Sequence, residues 1–384
     1  VRTVIHLLLA ALLGLNPVAH GASSAEPPVQ LGVALSLSGP SADASRAFAE
    51  GVRLWIEEAN RQGGILGRRV ELLWRDDRSD PEQTALAYRE LARETPLLLG
   101  PPERVAGLAV LPVLVRAKAP CVFPAPATDS LWEGGGGFAF GLLTPLSEWA
   151  GGFFEIAARE GLETAASVSV DHPYDRNVSG NVAKLAGRFG LRVTFQESVP
   201  LDQAARALEA AQKTHPGALL LWGSPRGCVA ALRALKAMRW KPRALYVSSS
   251  LFEEPLSALA GSAADEAFTA LPWAPFAARA YPGGAEFVRD YHVATGRNPG
   301  YLAATAYAGC QVLAAAAAKA GTLDRDKLRL ALASLDVVTI VGRYGVDPSG
   351  RQLRQFPLTV QLRKGREEIV WPEQMRTARP QVAR

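Results

Sequence analysis

The feature that most constrains this chain is an alternation of short apolar runs with amphipathic stretches, joined by brief turns. "VQLGVAL" reads as a buried strand, and residues 42–62 repeat apolar positions at helical spacing before "RQGG", where Gly63 and Gly64 supply a left-handed stop. "RRVELLW" alternates as a strand does. "DDRSDP" follows it, with Asp80 and Pro81 at the N-cap and first position of the next helix. Then come "PLLLG", a helix from Arg104 to Lys118, and "PCVFP". Such a βα repeat closes as a mostly parallel sheet with helices on both faces, so the expected class is α/β.

A second series begins near Ser147. It runs through a helix to Arg159, "AASVSV", a helix over 177–189, "LRVTFQ", a helix over 202–213, "GALLLWG", a helix over 225–238 and "RALYVSSS". Past "AFTALPWAPF" the pattern predicts helices over 283–295, 301–320 and 324–334. A polar, glycine-punctuated stretch and a hairpin follow, the hairpin turning at Lys364-Gly365. With 384 residues, 48% of them hydrophobic, the chain exceeds what one compact core usually holds, so two domains are expected.

The N-terminal stretch carries one early cation, Arg2, an apolar run from Val4 to Leu15, and small residues from Ala19 to Ala25. That is the layout of a secretory signal over residues 1–25, with cleavage expected between about Gly21 and Ala25. "AGCQVLAAAAAKAG" is Ala-rich, carries Lys319 and reads as a buried helix. Cys121, Cys228 and Cys310 are odd in number and sit in apolar settings; they read as buried thiols, with one disulfide left open as the alternative. The net charge of +5 comes from Lys and Arg scattered among Glu and Asp, which describes a solvated basic surface and argues against nucleic acid as a partner.

Catalytic and metal-binding patterns are missing. There is no HExxH, GxSxG, Walker A or GxGxxG, and no Cys/His spacing that would hold zinc, so neither a metal nor a cofactor is expected. Asp76 and Asp77 are adjacent carboxylates at a strand end. Neighbours there point apart, so turn and cap duties are expected of them rather than acid-base work. These absences favour a binding protein over an enzyme.

"LSLSGPSA" followed by "ANRQGGILGRRVELLWRDDRSDP" resembles the opening of the type I periplasmic solute-binding proteins of the branched-chain amino acid and amide group, the leucine/isoleucine/valine-binding-protein-like receptors of ABC importers. "VDHPYDR", "EFVRDYHVATGRNPGYLAATAYAGCQVLAAA" and "IVGRYGVDPSGRQ" extend the resemblance over nearly the whole chain after the leader. It implies a Venus-flytrap of two lobes joined by three crossovers: 26–146 plus 274–345 for the first lobe, 147–273 plus 346–384 for the second. It also implies a monomer in the periplasm that captures a small amino acid, amide or organic carboxylate and hands it to a permease in the inner membrane. A sensor that passes ligand state to a signalling partner is the alternative, and an exported α/β enzyme a more distant one.

In an architecture of this kind, ligands bind beyond the carboxyl ends of the strands. The expected ligand-binding residues are Arg104, Val105, Ala125 and Thr128 in the first lobe, and Asp171, Tyr174, Ser224 and Ser250 in the second. Where the resembled amino-acid binders offer small hydroxyls, this chain has Glu103 and Arg104. Two readings of Arg104 stand: a guanidinium that grips a ligand carboxylate, or a helix-start residue turned to solvent. Tyr174 aligns with a ligand-contacting Tyr, and Asp171 is the candidate for a ligand amine. Ser250 stands where the branched-chain binders keep an acid for the ligand ammonium, and the aromatic they carry after SGP is replaced near Ala44. Both departures put an organic acid on a par with an amino acid or amide.

Overall fold

The computed structural model describes residues 26–171, 176–248 and 256–383; the leader expected over residues 1–25 lies outside them. The chain enters a first lobe through β1 (Val29–Leu35), α1 (Ala42–Arg61), β2 (Val70–Asp76), α2 (Pro81–Glu94), β3 (Leu97–Leu99), α3 (Arg104–Ala117), β4 (Cys121–Phe123), α4 (Ser130–Gly134) and β5 (Ala139–Gly141). These strands form a wholly parallel sheet in the order β2-β1-β3-β4-β5. β3 and β4 are buried on every residue because helices cover both faces, which is why they read as continuous apolar runs. Asp80 caps α2 as the sequence predicts, its carboxylate accepting from Glu82 N at 2.8 Å, with Pro81 in the first turn.

The second lobe follows with α5 (Gly151–Arg159), β6 (Thr164–Val170), α6 (Arg176–Arg188), β7 (Arg192–Val199), α7 (Ala204–Gln212), β8 (Ala218–Gly223), α8 (Pro225–Ala237), β9 (Ala244–Val247), α9 (Leu256–Ala260) and β10 (Phe268–Leu271). The chain then returns to the first lobe for α10 (Gly284–Thr295), α11 (Tyr301–Ala320), α12 (Arg325–Ala333) and the small hairpin β11 (Val337–Thr339) and β12 (Gly342–Tyr344). It ends in the second lobe with β13 (Leu358–Arg363) and β14 (Arg366–Trp371). The second sheet runs β14-β13-β10-β9-β8-β6-β7, parallel except where β13 and β14 join its edge antiparallel. Lys364 and Gly365 both have positive φ (49° and 76°), the primed-turn geometry that the Lys-Gly pair predicts.

α11 keeps its expected bounds and is the central helix of the first lobe, its apolar length buried against α1 and α12. The helix expected from Ser147 starts later. Leu146–Glu148 forms a 3-10 turn instead, and the Trp149 indole donates to the Thr144 carbonyl at 2.7 Å, holding that turn against the connection before it. The glycine-punctuated stretch after 341 contains β12, which was not expected. Residues 346–355 run alongside β5: Gly141 N donates to Gly350 O at 2.9 Å, and Gln352 Nε2 to Leu142 O at 2.9 Å. All three cysteines are buried and unbridged.

Candidate functional site

Because each βα unit leaves its sheet in the same sense, the carboxyl ends of the strands face one side, and the two lobes turn those sides toward each other. Between them lies a cavity of about 460 Å³. Its first-lobe wall is made by Ser36 after β1, Asp77 and Ser79 after β2, Pro102 to Ala106 after β3, Ala125 to Thr128 after β4, and Tyr301 and Leu302 at the start of α11. Trp222 and Gly223 at the end of β8 and Ser248 after β9 supply the second-lobe wall, with Leu146 at the connection between lobes.

Asp77 forms the floor at 1% exposure. Ser36 Oγ donates to its Oδ1 at 2.6 Å and Ser79 N to the same oxygen at 3.1 Å, while Thr84 Oγ1 donates to Oδ2 at 3.0 Å. The exposed neighbour Asp76 points the other way and accepts from Leu37 N and Arg78 N, each at 3.0 Å. The adjacent carboxylates therefore do diverge, but only Asp76 is confined to turn duty; Asp77 also lines the cavity.

Glu103 occupies the N-cap position of α3, yet its side chain makes no capping bond. Its Oε1 is buried without a hydrogen-bond partner. Burial, and then the charge of Asp77, push its carboxyl up to about 7, against hydrogen bonds from its own backbone and the Ser41 hydroxyl. Tyr301 shares this environment, its phenol raised to about 12 by burial and by the Glu103 charge. Across the cavity the Trp222 ring is fixed by donation of its indole N–H to Ser167 Oγ at 3.1 Å and by Tyr246 behind it, with ring centroids 5.4 Å apart.

Of the residues expected from the sequence, Arg104, Val105, Ala125 and Thr128 come together on the cavity wall, Arg104 half-buried in the first turn of α3. Asp171 and Ser224 stand at the ends of β6 and β8, where Ser224 Oγ donates to Asp171 Oδ2 at 3.2 Å. Ser224 also caps α8, accepting from Gly227 N at 3.1 Å, and neither residue is among those lining the cavity. Tyr174 and Ser250 lie outside the described residues. Sequence reasoning missed Asp77, Trp222 and Tyr301 as cavity residues, and placed Glu103 beside Arg104 without giving it a ligand role. The usable signal was positional: each directly follows a parallel strand, closes one, or opens a helix at the cavity edge.

No histidine or cysteine lines the cavity among the described residues, and no group of His, Cys, Asp and Glu there is arranged to hold a metal ion. One guanidinium, two carboxyls, several hydroxyls and an apolar surround can hold a small polar solute by hydrogen bonds and charge.

A family model described as periplasmic binding protein matches residues 28–366. The chain belongs to this family. Among solved structures, a branched-chain amino acid ABC transporter protein from Rhodospirillum rubrum superposes with a TM-score of 0.76 at 24% identity, covering 89% of this chain and 100% of that one. A substrate-binding protein from Desulfitobacterium hafniense, solved in complex with Leu, gives a TM-score of 0.74 at 19% identity, with 89% and 100% covered. A solute-binding protein from Rhodopseudomonas palustris, solved with benzoate, gives 0.69 at 17% identity, with 93% and 98% covered. These likenesses show that the binding protein has the type I periplasmic fold. A curated Leu/Ile/Val-binding protein of Rhizobium johnstonii is 27% identical over 128 residues, a match that spans 33% of each chain.

Proposed function

We propose that this binding protein is the periplasmic substrate-binding component of an ABC importer. It captures a small amino acid, amide or organic carboxylate in the interlobe cleft and delivers it to a permease in the inner membrane. The observation that carries this reading is the cavity walled by both lobes. A solute held there bridges the lobes and stabilises their closed arrangement by its contacts to each. Leucine and benzoate, the ligands named for two structural relatives, each carry a carboxylate. Arg104, whose planar fork matches a carboxylate in two parallel hydrogen bonds, is the anchor for it, with Val105, Ala125 and Thr128 beside it. Asp171 and Ser224 stand at strand ends of the second lobe, where closure would bring them to the solute, and Tyr174 and Ser250 are proposed as contacts from their places in the sequence. No chemical step is assigned to the cavity.

The test is a thermal-shift screen of ligand-stripped protein against amino acids, amides, and aliphatic and aromatic carboxylates. A solute at a hundred times its Kd stabilises the fold by about 2.7 kcal/mol. Arg104→Gln is expected to weaken the binding of any acid that scores by about tenfold or more. Full retention of affinity in that variant would remove Arg104 from the site, and a panel without a single shift would overturn the reading.

A further inference from the structure

The cavity holds two carboxyl groups whose circumstances differ. Asp77 has three neutral donors, from Ser36, Ser79 and Thr84, so its oxygens are already engaged. Glu103 has one oxygen, Oε1, buried and without a partner. A buried acceptor left unmatched is unfavourable, and a bound N–H donor would relieve it. The charges lining the cavity point the same way: two carboxyls face one guanidinium, Arg104. An acid without a cation meets Arg104 but brings no donor to Glu103 Oε1, and it adds negative charge beside Asp77. A solute that carries both an acid and an ammonium places one opposite charge against each end of the Glu103-Arg104 pair.

We propose that Glu103 is a specificity-determining residue that accepts a hydrogen bond from an ammonium of the solute, so that the cavity selects amine-bearing acids over the same acids without the amine. This rests on the reading of the cavity as the solute site. The groups that face Glu103 are Asp77 at the end of β2, the Ser41 hydroxyl before α1, Tyr301 at the start of α11, and Arg104 next to it in the chain. In the empty cavity, burial and Asp77 favour the protonated form of Glu103. A bound ammonium reverses that preference, so binding releases a proton and affinity rises by about tenfold between pH 6 and pH 8.

The experiment is titration calorimetry of the ligand-stripped protein with matched pairs: leucine and 4-methylpentanoate, phenylalanine and 3-phenylpropanoate. Each pair is run at pH 6 and pH 8 in buffers of different ionisation enthalpy. The expected result is an amine-bearing member that binds at least tenfold tighter than its partner at pH 8, releases close to one proton on binding at pH 6, and has an advantage that shrinks to severalfold or less in Glu103→Gln. The wild-type proton count carries the test even if that variant folds poorly. Equal affinity within each pair overturns the assignment of Glu103 and leaves the proposed function standing. Tighter binding of the amine-less acids as pH falls does the same, because Glu103 would then donate its own proton to the carboxylate. No binding by any member at either pH overturns the assignment of Glu103, and the proposed function falls with it only if the wider thermal-shift panel is silent too.

Discussion

The Thr144 backbone N–H donates to the side-chain oxygen of Gln355 at 2.9 Å, joining the first connection between the lobes to the third. The Thr144 hydroxyl returns the bond to the Gln355 carbonyl. The Gln355 amide nitrogen reaches the second connection, donating to the Pro272 carbonyl at 3.3 Å, and bonds the Phe356 carbonyl at 2.9 Å. A primary amide has an acceptor and two donors in one plane, and here it serves all three crossings at 5% exposure. The three connections therefore meet in one hydrogen-bonded knot.

Replacing Gln355 by Leu keeps the approximate volume but strands the Thr144 N–H and the Pro272 carbonyl in a buried site. At about 1–3 kcal/mol for each unsatisfied group, a loss of about 2–4 kcal/mol is expected. Urea unfolding of the two proteins measures it. A loss below about 0.5 kcal/mol would show that the connections hold together without this amide.

Gly51 lies where α1 crosses α11. A Cβ built there would stand 2.1 Å from the Ala303 carbonyl oxygen, so even alanine must push the two helix backbones apart. Overpacking of this kind typically costs about 1–3 kcal/mol. Because Tyr301 and Leu302 at the head of α11 line the cavity, Gly51→Ala is expected to lower both the melting midpoint and the solute affinity. Unchanged affinity with a lowered midpoint would mean that α11 shifts away from its cavity end.

The parts of the fold legible in the sequence are those with local causes. Helix 301–320 shows as a long Ala-rich, mostly apolar stretch between Gly300 and Gly321, α2 as a capped start at Asp80-Pro81, and the last hairpin as Lys364-Gly365. Arg104, Val105, Ala125 and Thr128 were placed near the cleft by their positions after β3 and β4. What stayed hidden depends on partners far along the chain. Gln355 bonds Thr144 across 211 positions, and Ser36 meets Asp77 across 41. Neither pair has a periodicity or spacing that announces it. The cap that Ser224 makes on α8 was equally hidden, because a hydroxyl at a strand end suits a ligand contact and a helix cap alike.

The Asp77 carboxylate ties the ends of β1 and β2 to the start of α2, so its role is testable apart from any solute. Asp77→Ala removes the acceptor of the buried Ser36 hydroxyl and of the Ser79 N–H, while the Thr84 hydroxyl keeps the Asp80 carbonyl at 2.9 Å. A loss of about 2–4 kcal/mol is expected in denaturant unfolding, since hydrogen bonds to a charged group are the stronger kind. Asp77→Asn, which keeps the shape and one acceptor oxygen, should recover part of it. Equal stability of the alanine variant and the wild type would show that water replaces the carboxylate.

Glu103 makes the ligand-free protein's stability depend on pH in a direction opposite to that of a salt-bridged acid. Its folded-state pKa of about 7 stands above the ordinary glutamate value, so between pH 4.5 and pH 7 the folded chain binds more protons than the unfolded one. Stability from this group is therefore fully present at low pH, declines as pH rises through that window, and levels off above it. For a half-buried group the total is about 1–3 kcal/mol. Glu103→Gln removes the titration, so the variant should gain on the wild type at pH 8 and match it near pH 5. Guanidinium unfolding at both pH values, with solute stripped from each protein, decides it. Parallel profiles for the two proteins would mean that Glu103 ionises in the folded state as freely as it does in water.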